Sequence, residues 1–431
     1  MSALPSQPHR ARIARPSQAT VAALDIGSAR VLALVGAQAD HRRLTLRGIG
    51  AQSTRRGDDL DVDSHAGFRC ARIALDCAER MAGVSVRSAV GVLATPGIQS
   101  IRLRAHIAPA RGPIMEADVR RLLAVAAAKA QTADHVALHV APLGYALDEG
   151  ALIDDPRGAE ASRLSVEACV VIAPREAAED VTQCAHDVGV SLTDLVAAPY
   201  MAGLAALTPQ ERRDGAIVID LGATTTGVAA FVDDALVHAA TLPIGADLIT
   251  ETLAARLQTS FAAAERLKLT QPAFGAPNAE RVTVPRVGAD GRLAEASAPR
   301  GVLAEAMNPA LIEIFKAVAV SLAGARLPSE AARWTIGITG GGAELFGLRD
   351  RAAELLKAQV RIARPVGFPE LEAGAASGSL AAAAGALRWK CDPPAESRVA
   401  RPAMPAPAPR HNPWSPPKTA VRAWDWLKAN F

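Results

Sequence analysis

Apolar and polar residues alternate in short runs along the first part of the chain, with the period of β-strands. These runs start at Thr20 and continue through VAALDIGSARVLALVG and LTLRGIGAQS, which predicts a strand-rich beginning. The period then changes at 66–81, where Ala71, Leu75 and Ala78 fall on one face of a helix. The pattern predicts paired strands followed by an amphipathic helix.

The next segment, Ser88 to Ala173, is predicted to be a compact unit of its own. Its predicted elements are strands at SAVGVLAT and IQSIRLRAHIA, a helix at 115–130, and strands at HVALHVAP and LSVEACVVIA. From Pro174 onward helices and strands alternate, with a helix at 174–188, a strand at 192–197 and a helix at 199–207. This alternation is typical of an α/β fold.

A second strand-rich segment begins at Gly215 with GAIVIDLGATTTGVAAF, an apolar hairpin interrupted by Asp220 and three threonines. The predicted elements after it are a glycine-marked turn into a helix at LPIGADLITETLAARL, a helix at 260–269, a Pro/Gly/Ala-rich stretch at 271–301, a helix at 307–323, and a strand that ends in three glycines at WTIGITGGGAEL. The order of elements again predicts an α/β unit.

Composition narrows the class of protein. Half of the residues are hydrophobic and 21% are charged, which is typical of a globular chain. The net charge of +3 is too small to indicate nucleic-acid binding. The five cysteines are scattered without a C-x-x-C pair, which argues against a disulfide framework or a zinc site and for a cytoplasmic protein. No uninterrupted apolar run approaches the roughly 18 residues of a membrane-spanning helix.

Both ends of the chain differ from its middle. Residues 1–19 are basic, contain several prolines and lack the apolar core of a secretory signal, so a flexible tail is predicted. Residues 391–418 hold nine prolines without periodicity, which predicts a disordered linker. The final segment, 419–431, regains helical periodicity and predicts an amphipathic helix lying at a membrane surface. The residues predicted to contact the membrane are Val421, Trp424, Trp426, Leu427 and Phe431.

One short motif occurs twice. Asp25-Ile26-Gly27-Ser28 matches Asp220-Leu221-Gly222-Ala223, each between two apolar strands. Two such hairpins predict two related halves that face each other across a cleft. Small residues leave backbone N–H groups free to bind phosphate, and an Asp at each strand end suits a hydrated Mg²⁺ ion. Each hairpin alone could equally be a tight turn, whereas both together with the triple glycine favour a nucleotide triphosphate site.

These motifs resemble those of the actin/Hsp70/sugar-kinase superfamily. ALDIGSARVLALVG, VIDLGATTTGVAAF and ITGGGAELFGL are similar to its two phosphate motifs and its adenosine motif. Within it, the chain resembles the bacterial actin-like division protein family FtsA, through APREAAEDVTQCAHDVGVSLTDLVAAPYMAGLAAL, LPIGADLITETLA, AERLKL and ARPVGF. The resemblance implies a duplicated actin-like ATPase fold with an inserted 1C-type subdomain, followed by the linker and the C-terminal helix.

The resemblance also implies a domain division and a set of site residues. The implied domains are subdomain 1A at 20–87 and 174–213, 1C at 88–173, 2A at 214–251 and 334–390, and 2B at 252–333. The implied ATP-binding residues are Asp25, Gly27, Ser28, Arg30, Asp220, Gly222, Ala223, Thr224, Thr225, Gly245, Asp247, Glu265, Lys268, Gly340, Gly341 and Gly342, with Asp25 and Asp220 near Mg²⁺. Ala223, Arg30 and Ala246 depart from the residues common in the family. Because Ala223 replaces a glycine and no general base is evident beside either hairpin, any ATP turnover is expected to be slow. No catalytic residue is predicted.

The function implied by the resemblance is that of an ATP-binding protein of cell division that polymerises. It would bind the C-terminal peptide of FtsZ and other division proteins, and attach to the anionic cytoplasmic face of the cell membrane at the division site. Two alternatives remain open. A pilus-assembly actin homologue would not be expected to end in a Pro-rich linker and an aromatic helix. A superfamily kinase or phosphatase would need a carboxylate that activates an acceptor hydroxyl, and the sequence offers no clear candidate.

Overall fold

The structure, a computed structural model, describes residues 19–40, 43–55, 64–272, 274, 280–287, 293–372 and 377–393. The strands are β1 (Ala19–Ile26), β2 (Arg30–Asp40), β3 (Arg43–Ser53), β4 (Ser88–Leu93), β5 (Gln99–Ile107), β6 (His135–Leu147), β7 (Leu164–Pro174), β8 (Ser191–Ala197), β9 (Ala216–Leu221), β10 (Thr226–Val232), β11 (Ala235–Leu242), β12 (Arg281–Val287), β13 (Leu293–Pro299), β14 (Thr335–Thr339) and β15 (Val360–Ile362). The helices are α1 (Ser64–Ala82), α2 (Glu116–Ala130), α3 (Arg175–Asp187), α4 (Ala198–Ala206), α5 (Pro209–Asp214), α6 (Asp247–Leu257), α7 (Phe261–Thr270), α8 (Gly301–Gly324), α9 (Leu348–Leu356), α10 (Pro369–Glu372) and α11 (Ala381–Cys391).

The two main sheets share one strand pattern. The first has the order β3-β2-β1-β4-β8, an antiparallel meander followed by two parallel strands. The second contains β11-β10-β9-β14-β15, which is the same arrangement. The predicted duplication is therefore confirmed, and the repeated Asp-x-Gly motifs lie at the ends of the equivalent strands β1 and β9.

The inserted unit extends the second sheet. Its strands have the order β5-β7-β6, with α2 packed on one face around Leu122, Leu123 and Val170. β5 joins β11 through the pair Gln99–Ala240, so the second sheet has eight strands in all. The sequence prediction began this unit at 88, which is wrong for its first strand, because β4 lies between β1 and β8 in the first sheet. A short apolar strand fits either sheet by pattern alone.

Two buried helices connect the halves behind the cleft. All residues of α4 are buried, and α11 approaches it so closely that a Cβ on Gly385 would lie 1.9 Å from the Met201 carbonyl oxygen. One hydrophobic core accordingly contains α4, α11 and residues of both main sheets. The halves are thus joined by helix packing as well as by the chain itself.

The smaller part of the second half differs from its prediction in two places. The stretch 271–301, predicted without strands, contains the two-stranded hairpin of β12 and β13. Helix α8 starts at Gly301 rather than at 307, and Pro309 lies within it. By length and composition α8 is the one described helix that could cross a membrane, a test that buried core helices also pass. Its side chains Leu303, Leu311 and Phe315 are buried in the core of the second half.

Several predicted segments lie outside the described residues. They are most of the basic tail, the linker from residue 394 onward, and the whole C-terminal helix with Val421, Trp424, Trp426, Leu427 and Phe431. Their predictions stand as sequence-based expectations.

Candidate functional site

A cavity of about 390 Å³ lies between the two main sheets, where the repeated hairpins meet. The predicted residues that line it are Asp25, Gly27, Ser28, Arg30, Asp220, Gly222, Ala223, Thr225, Asp247, Glu265, Lys268, Gly340, Gly341 and Gly342. Thr224 and Gly245 do not line it but lie beside it. The Thr224 hydroxyl donates to Ser28 Oγ at 2.8 Å, so the two hairpins contact each other directly. The predicted residues thus converge although they come from both halves of the chain.

The two aspartates occupy equivalent positions in the two sheets. Asp25 pairs with Val92 of β4, and Asp220 pairs with Thr339 of β14, in both cases across parallel strands. Burial raises the pKa of Asp25 to about 6, against an opposing effect of the Arg30 charge. Burial and the charge of Asp25 raise the pKa of Asp220 to about 7. Two desolvated carboxyl groups that disfavour each other's charge are suited to share a divalent cation.

Glycines let backbone segments approach closely around Asp220. Gly340 has a φ of +89°, and a Cβ there would lie 2.5 Å from Asp220 Oδ1 and from the Leu221 carbonyl oxygen. A Cβ on Gly245 would lie 2.3 Å from the Ala223 carbonyl oxygen. Only glycine fits at either position, so the hairpin turn, the loop before α6 and the turn after β14 form one tightly packed cradle.

The N-terminus of α6 holds the second hairpin in place. The N–H of Ala246 donates to the Gly222 carbonyl at 2.9 Å, and that of Asp247 donates to the Ala223 carbonyl at 2.8 Å. The Asp247 carboxylate forms an ion pair with Arg55, two residues beyond the end of β3, and both side chains are mostly buried. The Arg55 guanidinium also lies 5.2 Å from the centre of the Phe261 ring. Asp247 therefore lies where the two halves meet and links them.

Lys268 is more deeply buried than a lysine on an ordinary helix face. Its side chain is 4% exposed, and its ammonium group donates to Thr250 Oγ1 at 2.7 Å and to the Ala246 carbonyl at 3.2 Å. It also pairs with Glu265 at 2.6 Å. These bonds fix α7 against α6, while Glu265 remains partly exposed toward the cavity.

Comparison with known proteins places this architecture in a family. The sequence model of "Cell division protein FtsA" matches residues 217–385, and that of "SHS2 domain inserted in FTSA" matches 96–172. Cell division protein FtsA of Rhizobium meliloti is 30% identical over 383 residues, which cover 85% of this chain and 86% of the relative. The chain belongs to the FtsA family. FtsA of Escherichia coli K12 is 27% identical over 361 residues, covering 81% of this chain and 85% of the relative.

Solved structures agree on the fold. A chain of the PilM–PilN type IV pilus biogenesis complex superposes with a TM-score of 0.60 at 17% identity, covering 87% of this chain and 99% of that one. MreB5 of Spiroplasma citri bound to AMPPNP gives a TM-score of 0.53 at 14% identity, covering 87% and 97%. The predicted actin-like fold is thus confirmed for this FtsA-family member.

Some cavity residues of this FtsA-family chain were not predicted. They are Arg55, Thr241, Glu344, Ser377 and Ser379, together with apolar residues of the cavity wall. Glu344 follows the triple glycine by two positions and accepts from the Gly378 N–H at 3.1 Å, so the glycine motif itself could have indicated it. Arg55 and Thr241 belong to no motif, and only the tertiary fold brings the segment after β3 and the strand β11 to the cleft.

The residues present fit a nucleotide with Mg²⁺ better than a metal ion alone. Among the described residues no group of three or more His, Cys, Asp or Glu side chains could hold a metal. Asp25 and Asp220 supply two carboxylates, and an ion held there would need further oxygen ligands from phosphate and water. The open side of the cavity, where a Cβ on Gly341 would meet no atom within 4 Å, leaves room for such a ligand.

Proposed function

We propose that this FtsA-family protein binds ATP with Mg²⁺ between its two halves and acts as a membrane-attached actin-like filament protein of cell division. The observation that carries the nucleotide site is the convergence of two equivalent Asp-x-Gly hairpins and the Gly340 turn on one cavity. Asp25 and Asp220 would hold the metal ion through its water, and the hairpin N–H groups and hydroxyls would bind the phosphates. Gly340–Gly342 and Glu265 would line the adenosine.

Turnover is expected to be slow. The ionisable side chains that line the cavity are Asp25, Arg30, Arg55, Asp220, Asp247, Glu265, Lys268 and Glu344. Asp247, Glu265, Lys268 and Glu344 are engaged in ion pairs or hydrogen bonds with the protein, and the two central aspartates would serve the metal. This leaves no evident base for an attacking water. The nucleotide would then act chiefly as a structural ligand that holds the two halves together.

Binding is tested by isothermal titration calorimetry of the full chain with Mg·ATP. We expect saturable binding with one nucleotide per chain, and weaker binding when magnesium is removed with a chelator. Absence of binding in both conditions would overturn the site. A matched kinase test, with sugar acceptors added, should yield no phosphorylated product.

Membrane attachment is proposed for the C-terminal segment 419–431. Burial of Trp424, Leu427 and Phe431 could contribute on the order of 5 kcal/mol, at ~1.5–3 kcal/mol for each side chain. Ordering so short a helix offsets part of that gain, so one copy should bind lipid weakly and a filament should bind tightly. Co-sedimentation with anionic liposomes should be lost in a chain ending at Lys418 and in Trp424→Glu, with ATP binding retained. If the truncated chain sediments with the liposomes to the same extent as the full chain, the proposal that 419–431 is the anchor is refuted.

Assembly and FtsZ binding are proposed from the family. The inserted unit would contact a neighbouring protomer, and the part of the second half containing α7, β12, β13 and α8 would receive the C-terminal peptide of FtsZ. A deletion that tests assembly should remove 96–172 and keep β4, because β4 is a central strand of the first sheet. We expect no filaments of this variant on lipid monolayers by electron microscopy, with Mg·ATP binding as the folding control. Filaments like those of the parent would contradict the proposal.

The pilus-assembly alternative has weaker support. The likeness to the PilM–PilN complex is a likeness of fold at 17% identity, whereas the FtsA relatives match in sequence over most of their length. The aromatic C-terminal segment also favours the division role.

A further inference from the structure

The side chain of Thr241 has a buried hydroxyl without a hydrogen-bond partner in the described part of the chain. The residue is 5% exposed and lines the cavity between the two halves. Its backbone N–H donates to the Ile98 carbonyl at 2.9 Å, but no described group contacts Oγ1 within hydrogen-bond distance. A buried unpaired hydroxyl destabilises a protein, so its presence at a cavity wall indicates a ligand that supplies the missing partner.

Strand register places Thr241 in one row with Asp220. Asp220 of β9 pairs with Gly227 of β10, and Gly227 pairs with Thr241 of β11. Side chains of directly paired residues lie on the same face of a sheet. Gly227 carries no side chain, and a Cβ there would lie 3.1 Å from Pro199 Cβ. Pro199 therefore packs against Gly227, and the row forms a notch in the cavity wall beside this contact, with a carboxylate on one side and a hydroxyl on the other.

The duplicated half provides an internal comparison. The equivalent row in the first sheet is Asp25, Leu32 and Ala51, which keeps the aspartate but fills the notch with leucine and ends in a methyl group. The glycine and the hydroxyl of this row are thus particular to the second half. Packing of the common fold does not require them, because the first half is built without them.

The order of strands locates the notch along a bound nucleotide. Gly340 follows β14, and the sheet continues through β9 and β10 to β11. At roughly 4.8 Å per strand, Thr241 lies about 14 Å from the Gly340 end. If adenosine lies over Gly340–Gly342 and the phosphates pass Asp220, the chain of phosphates ends at the notch.

We propose that Thr241 Oγ1 hydrogen-bonds the terminal phosphoryl group of the bound nucleotide, directly or through one water, and so favours a triphosphate over a diphosphate. This proposal rests on the nucleotide site proposed above. A hydroxyl is suited to this position because it can donate to a phosphate oxygen and accept from a water. A diphosphate would not reach the notch and would leave the hydroxyl unpaired.

The test compares Thr241→Val with Thr241→Ser in the full chain. Valine keeps the shape but removes the hydroxyl, and serine keeps the hydroxyl. Calorimetric titration with Mg·AMPPNP and Mg·ADP should show a roughly tenfold loss of AMPPNP affinity in Thr241→Val, unchanged ADP affinity, and near-parental values in Thr241→Ser. Thermal unfolding without nucleotide should show that Thr241→Val is at least as stable as the parent, because it removes an unpaired buried hydroxyl.

Other results of these measurements would contradict the role proposed for Thr241. Equal losses for AMPPNP and ADP in Thr241→Val, or parental affinity for both, would overturn the assignment of Thr241 while leaving the nucleotide site in place. A lower melting temperature of the nucleotide-free Thr241→Val variant would assign the residue a structural role instead. If the parent itself binds neither nucleotide, the proposed function fails, and the role of Thr241 fails with it.

Discussion

Asp220→Asn is expected to stabilise the nucleotide-free protein while it weakens nucleotide binding. The substitution keeps the size of the side chain and removes its charge. In the parent, burial and the charge of Asp25 raise the pKa of Asp220 from 3.8 to about 7. The ionised carboxylate is therefore less favourable in the folded protein than in the unfolded chain. A residue with a purely structural role would not show these two opposite effects.

The size and the sign of the effect on the free energy of unfolding follow from the linkage between proton binding and folding. At about 1.4 kcal/mol per pH unit between 3.8 and 7, the charge lowers the free energy of unfolding by up to about 4 kcal/mol at pH 8. Because the folded-state pKa is raised, stability is fully present below pH 3.8 and is lost as the pH rises toward 7. At pH 5.5 about half of this loss in the free energy of unfolding is present. The stability difference between Asp220→Asn and the parent should thus widen by about 2 kcal/mol from pH 5.5 to pH 8.

The assay is urea unfolding of the nucleotide-free chain at both pH values, followed by circular dichroism, with calorimetry of Mg·ATP binding at pH 8. Asp350→Asn is the matched control, because its carboxylate is 70% exposed and remote from the cavity. We expect a higher urea midpoint for Asp220→Asn, largest at pH 8, together with at least tenfold weaker Mg·ATP binding. A lower midpoint at pH 8, or parental nucleotide affinity, would refute the reasoning.

Three further predictions test other parts of the site and its support. Gly340→Ala should lower the melting temperature by several degrees, since its Cβ would clash with Asp220 and Leu221, whereas Gly341→Ala should not, since no atom lies within 4 Å. Arg55→Ala should speed the release of a fluorescent nucleotide roughly tenfold in stopped-flow measurements, because it removes the ion pair that links the halves. Burial lowers the pKa of His139 to about 3, so the parent should lose about 1.4 kcal/mol of stability per pH unit relative to His139→Gln as the pH falls from 6 to 4 in urea titrations.

The sign of the His139 prediction is opposite to that of Asp220. A folded-state pKa below the ordinary 6.5 means that the unfolded chain takes up the proton first, so stability is present above pH 6.5 and is lost toward pH 3. The buried ring is held neutral while its Nε2 accepts from the Ala197 N–H at 2.9 Å. Parallel pH profiles of parent and variant would contradict this assignment.

Much of the cleft could be predicted from the sequence because its signals are local. An Asp-x-Gly motif at the end of an apolar strand specifies a turn, its carboxylate and its backbone donors within a few residues. The repetition of the motif then predicted two facing halves. For Gly340, the glycine run itself signals a backbone conformation that other residues avoid.

What the sequence did not predict depends on which strands become neighbours. β4 has the same apolar pattern in either sheet, and only its pairing with β1 and β8 decides where it belongs. The hairpin of β12 and β13 was hidden by a composition rich in Pro, Gly and Ala. Arg55 and Asp247 lie far apart in the chain, and no local pattern links them. Long-range partners of this kind are set by tertiary packing.

Strand β11 connects the cleft to the inserted unit, because it carries a cavity residue and also pairs with β5. Thr241 lines the cavity, and its own N–H bonds the Ile98 carbonyl, one residue before β5 of the insert. Three residues earlier in β11, His238 lies between Ser100 of β5 and Ser321 of α8, at 3.2 Å from each hydroxyl. β11 therefore contacts both the cavity and the inserted unit, through Thr241 at the cleft and through His238 and the pairing with β5 at the junction.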